Sequence, residues 1–378
     1  MAILVGTASW AEKSLIDSGL FYPPDAKTPE ARLRFYSSVF PLVEADSSYY
    51  AIPSPATAQA WVERTPPAFV MNVKAFRFLT GHATDPAVLP RAVRELAGAG
   101  GRLVYRHAAS EVREAIWHHF LLALEPLRAA GKLGLVHFQF PPSVVPSPRV
   151  IAHVEDCVER LRGATVSIEF RHRAWWDGGQ RSAETITWLR ALGVVHTVVD
   201  GPQGAENSVP AVWEATHPEI ALVRLHGRNA AAYNAPAKTA GERFDYDYPD
   251  HELEAIAKQV HRLSFSARNT HVVFNNCDRD KGQRNGMTMM RVLAELQKQP
   301  IDFEAYQAPN GMLARLQPEE RAAAQEQLPD ATAAGPQQLA VEVQTRHYGR
   351  VEVTFRVHTD KRHKARRSFW SACLARPI

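Results

Sequence analysis

Eight short runs rich in β-branched and aromatic residues recur along the chain, and many of the stretches between them carry apolar residues at three-four spacing. The runs cover residues 3–6, 42–47, 69–74, 135–140, 165–170, 194–199, 220–226 and 271–275. Such alternation predicts a parallel sheet with crossover helices, and eight strands in about 300 residues predict a closed TIM-type (β/α)8 barrel. A doubly wound open sheet is the alternative, because alternation alone does not prove closure.

The helical intervals fit either sheet. Residues 29–39 follow Thr28 as an N-cap and 55–63 follow Ser54, while 182–191, 251–263 and 287–299 carry the helical period. The longest interval, 76–132, has Gly-rich punctuation at 97–101 and a helix predicted over 110–129. Long insertions of this kind serve as lids or binding loops. Beyond residue 299 the eightfold pattern is spent, leaving a helical 318–327, a linker at 330–335, a hairpin around Tyr348-Gly349 and a basic tail. The expected organisation is a barrel over 1–306 and a C-terminal extension over 307–378.

Composition narrows the class. With 45% hydrophobic and 22% charged residues in 378, the chain can bury a full core. Cys157, Cys277 and Cys373 lie far apart with no finger or CxxC spacing, which argues against a disulfide framework, a zinc ribbon and an iron-sulfur cluster. Neither a leader pattern nor a run of about 20 apolar residues is present, so the expected location is the cytoplasm, with no membrane partner. The formal charge of +4 invites a nucleic-acid reading, yet 345–378 hold nine Lys/Arg against Glu352 and Asp360. That net of +7 leaves the first 344 residues at −3. The basicity belongs to the tail, whose Lys361–Arg367 segment is either a phosphate contact or a solvated end.

In a parallel barrel the chemistry sits at the C-terminal ends of the strands. There the second run offers Glu44, Asp46 and Ser48 on one face, the third Lys74 and the fourth Gln139. The fifth brings Glu169 and Arg171, and the sixth leads to Asp200. The seventh sets Arg224, His226 and Arg228 two residues apart, and the eighth stops at Asn275-Asn276. Lys74, Arg171, Arg224 and Arg228 against Asp46, Glu169 and Asp200 point to an anionic ligand, since unpaired charge at one mouth is costly to desolvate. Arginine forks suit phosphate or carboxylate. Glu169, Asp46 and Asp200 are the candidate acid/base groups, with cations expected to depress the Glu169 pKa. His226 either carries a proton or orients Glu169 or Asp200. Glu44, Asp46, Glu169, Asp200, His137 and His226 could hold a divalent metal, although no HExxH or HxH spacing supports one. Trp10, Tyr49, Tyr50, Phe76, Trp175, Trp176 and Tyr233 follow strand ends, where rings stack on a sugar or base or else pack beneath loops.

Read together, Gly6-Thr7-Ala8-Ser9-Trp10, Phe21-Tyr22-Pro23, Glu44 to Tyr50 with Pro53-Ser54-Pro55, Val73-Lys74, Gln139-Phe140-Pro141-Pro142, Glu169-Phe170-Arg171-His172, Arg224-Leu225-His226-Gly227-Arg228 and Phe274-Asn275-Asn276 with Asn285 resemble the YecE-like family, a domain of unknown function. The resemblance implies a TIM-type barrel with its site at the strand C-termini and supplies no reaction. The segment Cys277 to Lys281 is more charged than the family's small-residue version. Expected from the residues is an enzyme acting on a phosphorylated substrate, by phosphoester hydrolysis of a nucleic acid or nucleotide. Lys74, Arg171, Arg224, Arg228, Gln139, Asn275, Asn276, Trp10, Tyr49 and Trp175 would then bind the substrate. Two alternatives stay open: a sugar-acid or sugar-phosphate isomerase or lyase, and a non-catalytic module binding nucleic acid or protein.

Overall fold

The computed structural model describes residues 2–98, 101–203, 208–231 and 244–298, and the backbone of strands 340–348, 351–359 and 369–377. Ala2–Gln299 form one compact unit, and the strands from Ala340 onward belong to a second.

The first unit is the expected barrel. Its strands are β1 (Ala2–Ala8), β2 (Leu42–Ala45), β3 (Val70–Lys74), β4 (Leu133–Phe140), β5 (Val166–Phe170), β6 (Val195–Asp200), β7 (Ile220–Leu225) and β8 (Asn269–Phe274). Each pairs with the next, and β8 pairs in parallel with β1 from Ala2↔Asn269 to Thr7↔Phe274, which closes the sheet and removes the open-sheet alternative. Closure needs glycine at one point. A Cβ on Gly6 would stand 2.0 Å from the Leu42 carbonyl oxygen, so β1 approaches β2 only without a side chain there.

The helices are α1 (Lys13–Ser18), α2 (Pro29–Val39), α3 (Ser47–Tyr50), α4 (Pro55–Glu63), α5 (Arg91–Ala97), α6 (Ser110–Ala129), α7 (Pro148–Arg160), α8 (Gln180–Ala191), α9 (Asp250–Ser264) and α10 (Lys281–Lys298). Thr28 and Ser54 cap α2 and α4 through their hydroxyls, each accepting from the backbone N–H three residues on at 3.1 Å. Ser147-Pro148 is the same signal and starts α7, an element absent from the sequence reading. No helix among the described residues is long and apolar enough to cross a membrane.

The period of two divides every strand. Leu42, Leu135, Val195, Leu222 and Val273 share one small cluster inside the barrel. Their neighbours face out: Val43, Val136 and Ile168 join Leu33, Trp61 and Ile116 of the helices, and Val223 and Val272 join Leu253 and Val260. The 76–132 interval, expected as a lid, begins as wall, with Phe76, Phe78 and Leu79 fully buried.

In the second unit β9 (Ala340–Tyr348) and β10 (Val351–Thr359) form the expected antiparallel hairpin, and β11 (Phe369–Pro377) adds a third strand where only a tail was expected. The predicted helix at 318–327, the linker at 330–335 and Lys361–Arg367 lie outside the described residues.

Candidate functional site

Two residues beyond the apolar interior layer, the same inward positions turn polar or charged: Glu44 after Leu42, His137 after Leu135 and Arg224 after Leu222, with Glu169 beside them on β5. Barrel interiors are usually filled by branched aliphatic side chains. Here Arg224, with no exposed surface, spans the barrel. Its Nη2 and Nε donate to the two Glu44 oxygens at 2.6 and 3.1 Å, and its Nη1 donates to Glu169 Oε2 at 2.7 Å. Arg171 Nη1 donates to Glu169 Oε1 at 2.9 Å. His137 Nε2 lies 3.3 Å from Glu169 Oε2, while His137 Nδ1 bonds with Ser167 Oγ at 2.8 Å.

Burial opposes charge on Glu169, yet Arg224 beside it, with the two histidines, holds its carboxyl well below the ordinary carboxylate range. The expected depression is therefore present. For His226 burial wins: the ring is pushed down to about 3, Arg171 and Arg224 outweighing part of the pull of Glu169, so it is neutral at pH 7. The Asn275 amide donates to Nδ1 at 2.8 Å, which leaves the ring proton on Nε2, 3.2 Å from Glu169 Oε1. Of the two roles open to His226, this geometry is that of a ring orienting Glu169.

Above this layer lies the mouth. Lys74 Nζ stands 2.8 Å from Asp46 Oδ1 and 4.8 Å from the centre of the Tyr49 ring. Asp46 is the more open of the pair, at 21% against 9% for the Lys74 side chain. Burial again opposes ionisation of Asp46, and Lys74 and Arg224 lower its pKa overall. Gln139, paired in register with Glu169, is half-buried on the same rim. Asp200 forms a separate cluster: Arg228 Nη2 reaches Oδ1 at 2.7 Å, and the Tyr248 hydroxyl donates to Oδ2 at 2.6 Å. Arg228 also contacts Glu252 at 3.1 Å.

The structure corrects several sequence placements. Strand β2 ends at Ala45, and residues 47–50 turn into α3, so Ser48 leaves the strand face and its hydroxyl meets the Ala45 and Lys74 carbonyls, both at 2.6 Å. Arg228 does not share the inward face with Arg224. Strand β7 ends at Leu225, and Gly227, at φ +81°, redirects the chain; a Cβ there would meet Tyr246 Cβ at 2.5 Å. The supposed excess of cations also disappears, because Glu44 and Glu252 join Asp46, Glu169 and Asp200 opposite Lys74, Arg171, Arg224 and Arg228.

Three expected binding residues are spent on scaffold. Trp175 stacks on Phe170 at 3.8 Å and 5°, on the outer face of β5, and donates its indole N–H to the Val144 carbonyl. Trp10 packs edge-on to Trp61 of α4 at 5.5 Å. Asn276 is fully buried and donates to the Tyr246 carbonyl and Asn285 Oδ1 at 2.9 and 2.7 Å, holding the segment that presents Tyr248. Arg224, saturated by carboxylates, is likewise removed from direct contact with a ligand. Tyr233 lies outside the described residues.

Sequence reasoning passed over Arg77, His82, Tyr248 and Glu252. Arg77 and His82 sit in the loop after β3, with the Arg77 guanidinium carbon 5.5 Å and the His82 ring 5.3 Å from the Tyr49 ring centre. Their signal was position, three and eight residues past a strand end. Among the described residues no three His, Cys, Asp or Glu are gathered to hold a metal ion; Glu44 and Glu169 are engaged by arginine, so the donor set read from the sequence does not fit one.

Comparison with known proteins agrees with the barrel. The chain is 31% identical over 294 residues to UPF0759 protein YunF of Bacillus subtilis, covering 77% of this chain and 94% of that one. A DUF72 family protein from Enterococcus faecalis has a similar structure, with TM-score 0.63, 24% identity and coverage of 79% of this chain and 97% of the other. Another from Thermotoga maritima gives TM-score 0.61, 26% identity and coverage of 78% and 100%. Residues 4–311 match the family model described as protein of unknown function DUF72, and the chain belongs to that family.

Proposed function

We propose that the chain is a cytoplasmic enzyme that takes a phosphorylated substrate at the C-terminal mouth of its barrel and hydrolyses a phosphoester bond. The YecE-like resemblance is part of the same reading. One observation carries it: the Lys74–Asp46 pair stands at the rim of a fully buried ionic layer, where charge is expensive to maintain without a use. Lys74 neutralises the phosphate, and Arg171, above Glu169, adds to the positive field. Asp46, held ionised, accepts a proton from the attacking water as its oxygen bonds to phosphorus and the ester P–O bond breaks, and the departing alkoxide takes its proton from solvent. Glu44, Arg224, Glu169 and His226 position that rim, and Gln139 and Asn275 line it.

The test is phosphate release from a panel of phosphomonoesters, nucleotides and oligonucleotides, with and without divalent metals. Asp46→Asn should lower kcat by about 10²–10⁴, and Lys74→Met should raise KM. No release from any substrate, or unchanged kcat in Asp46→Asn, would sink the reading. Exchange of solvent deuterium into a sugar phosphate without phosphate release would select the isomerase instead. The module reading has the barrel bind nucleic acid or protein with the tail of residues 345–378 supplying affinity, and its Lys361–Arg367 segment lies outside the described residues.

A further inference from the structure

Arg77 is the cation that the ionic layer leaves over. Among the described residues it forms no ion pair, and its Nε is buried without a hydrogen-bond partner. A buried polar atom of this kind calls for an explanation, because its lost hydration is not replaced by a hydrogen bond. Its backbone is nonetheless tightly set. The Arg77 N–H donates to the Tyr49 carbonyl at 3.0 Å, and the Arg77 carbonyl accepts from the N–H groups of Thr80 and His82 at 3.3 and 3.1 Å. The Thr80 hydroxyl donates to the same carbonyl at 3.0 Å. Fully buried Phe76 and Phe78 flank it. An arginine with its backbone fixed so firmly, its guanidinium against the Tyr49 ring, half-exposed and lacking a carboxylate among the described residues, is placed to take an anion from outside.

We propose that Arg77 and Lys74, whose cationic groups lie 5.5 and 4.8 Å from the centre of the Tyr49 ring, seat the terminal phosphate of a phosphate monoester, with His82 Nε2 sharing one of its protons. The proposal rests on the phosphate reading of the mouth and narrows it: the substrate is a monoester, not an internal phosphodiester of a nucleic-acid strand. Lys74 is already balanced by Asp46, so Arg77 supplies the uncompensated charge. Because the Thr80 hydroxyl hydrogen goes to the Arg77 carbonyl, His82 Nδ1, 2.8 Å from Thr80 Oγ1, carries the ring proton and leaves Nε2 bare. The charged and titratable groups facing His82 are Arg77 of its own loop, Lys74 at the end of β3 and Tyr49 of α3. Burial first, then these two cations, lower its pKa to about 4, so the ring is neutral until an anion arrives. A monoester has a second ionisation near pH 6 and can hold one proton between its oxygen and Nε2. A diester has no such proton and carries a single charge.

Calorimetric titration of the full chain with inorganic phosphate, methyl phosphate and dimethyl phosphate tests this. Inorganic and methyl phosphate should bind, and dimethyl phosphate at least about tenfold more weakly, one charge-assisted contact being worth that much. Arg77→Ala should weaken methyl phosphate about tenfold to hundredfold, and Arg77→Lys should restore part of it; Arg77→Gln serves if the alanine variant misfolds. His82→Gln should narrow the gap between methyl and dimethyl phosphate. Wild-type affinity in Arg77→Ala or Arg77→Gln, or equal affinity for the two esters, would overturn the proposal. If Lys74→Met loses methyl phosphate while the Arg77 variants keep it, the seat is refuted and the phosphate reading of the mouth survives. If the wild-type chain binds none of the three, both fall.

Discussion

Arg224→Met tests the ionic layer at its centre. Arg224 supplies three contacts, at 2.6 and 3.1 Å to Glu44 and 2.7 Å to Glu169, and all three side chains have 0% exposure. Methionine keeps most of the volume but leaves two buried carboxylates without their cation, and breaking a buried pair in this way costs about 3–5 kcal/mol. The cost depends on pH in a definite sense. In the wild type Glu169 titrates well below the unfolded value of about 4.3, so its contribution is present above that pH and lost as pH falls through the folded value. Without Arg224 the Glu169 carboxyl loses its main cation, so burial pushes it upward and the variant recovers part of its deficit by protonating it as pH falls. Urea unfolding followed by far-ultraviolet circular dichroism should therefore show the full deficit at about pH 7.5 and a smaller one at about pH 5.5. Adding Glu44→Gln and Glu169→Gln should return most of the lost stability at neutral pH, since the uncompensated charges go with the cation. A deficit below about 1 kcal/mol, or one independent of pH, would mean that the layer does not stabilise the barrel as a charge network.

The remaining expectations concern scaffold against site. Trp175→Ala should cost about 3–5 kcal/mol as a lost stacked core residue, while kcat for any phosphate-releasing activity stays within a factor of about two in protein that remains folded; a selective loss of activity would return Trp175 to the site. Buried His226, His196 and His271 and half-buried His82, lowered to about 3, 4, 4 and 4, stay neutral in the fold while the unfolded chain binds protons below about 6.5. Stability should thus fall as pH drops from about 6 to about 4, by up to about 1.4 kcal/mol per pH unit for each ring. A urea midpoint flat across that range would contradict the neutral assignment. Loss of turnover in Asp46→Asn and of methyl phosphate binding in Arg77→Ala complete the set.

The barrel was legible because each of its causes is local. A strand or helix is written in the period of its own apolar residues, and Thr28-Pro29 and Ser54-Pro55 start α2 and α4 where the hydroxyl and the ring require it. The period of two even put Glu169 with Arg171 and Arg224 with His226 on shared faces. What it could not say is how deep each face lies, because depth depends on the register of neighbouring strands. Closure set Arg224 across from Glu44, 180 residues away, and so turned an expected phosphate ligand into a buried strut. Gly227 and the α3 turn redirected Arg228 and Ser48 at points where strand periodicity simply stops. Trp175 and Trp10 follow strand ends as ligand-stacking rings do, and only packing against Phe170 and Trp61 distinguishes wall from mouth. Arg77 shows the converse: in sequence it is one arginine among aromatic residues, and it gains meaning only where the fold withholds a carboxylate from it. Period and capping are properties of neighbours along the chain, whereas the pairing of charges is settled by residues that closure of the sheet brings together.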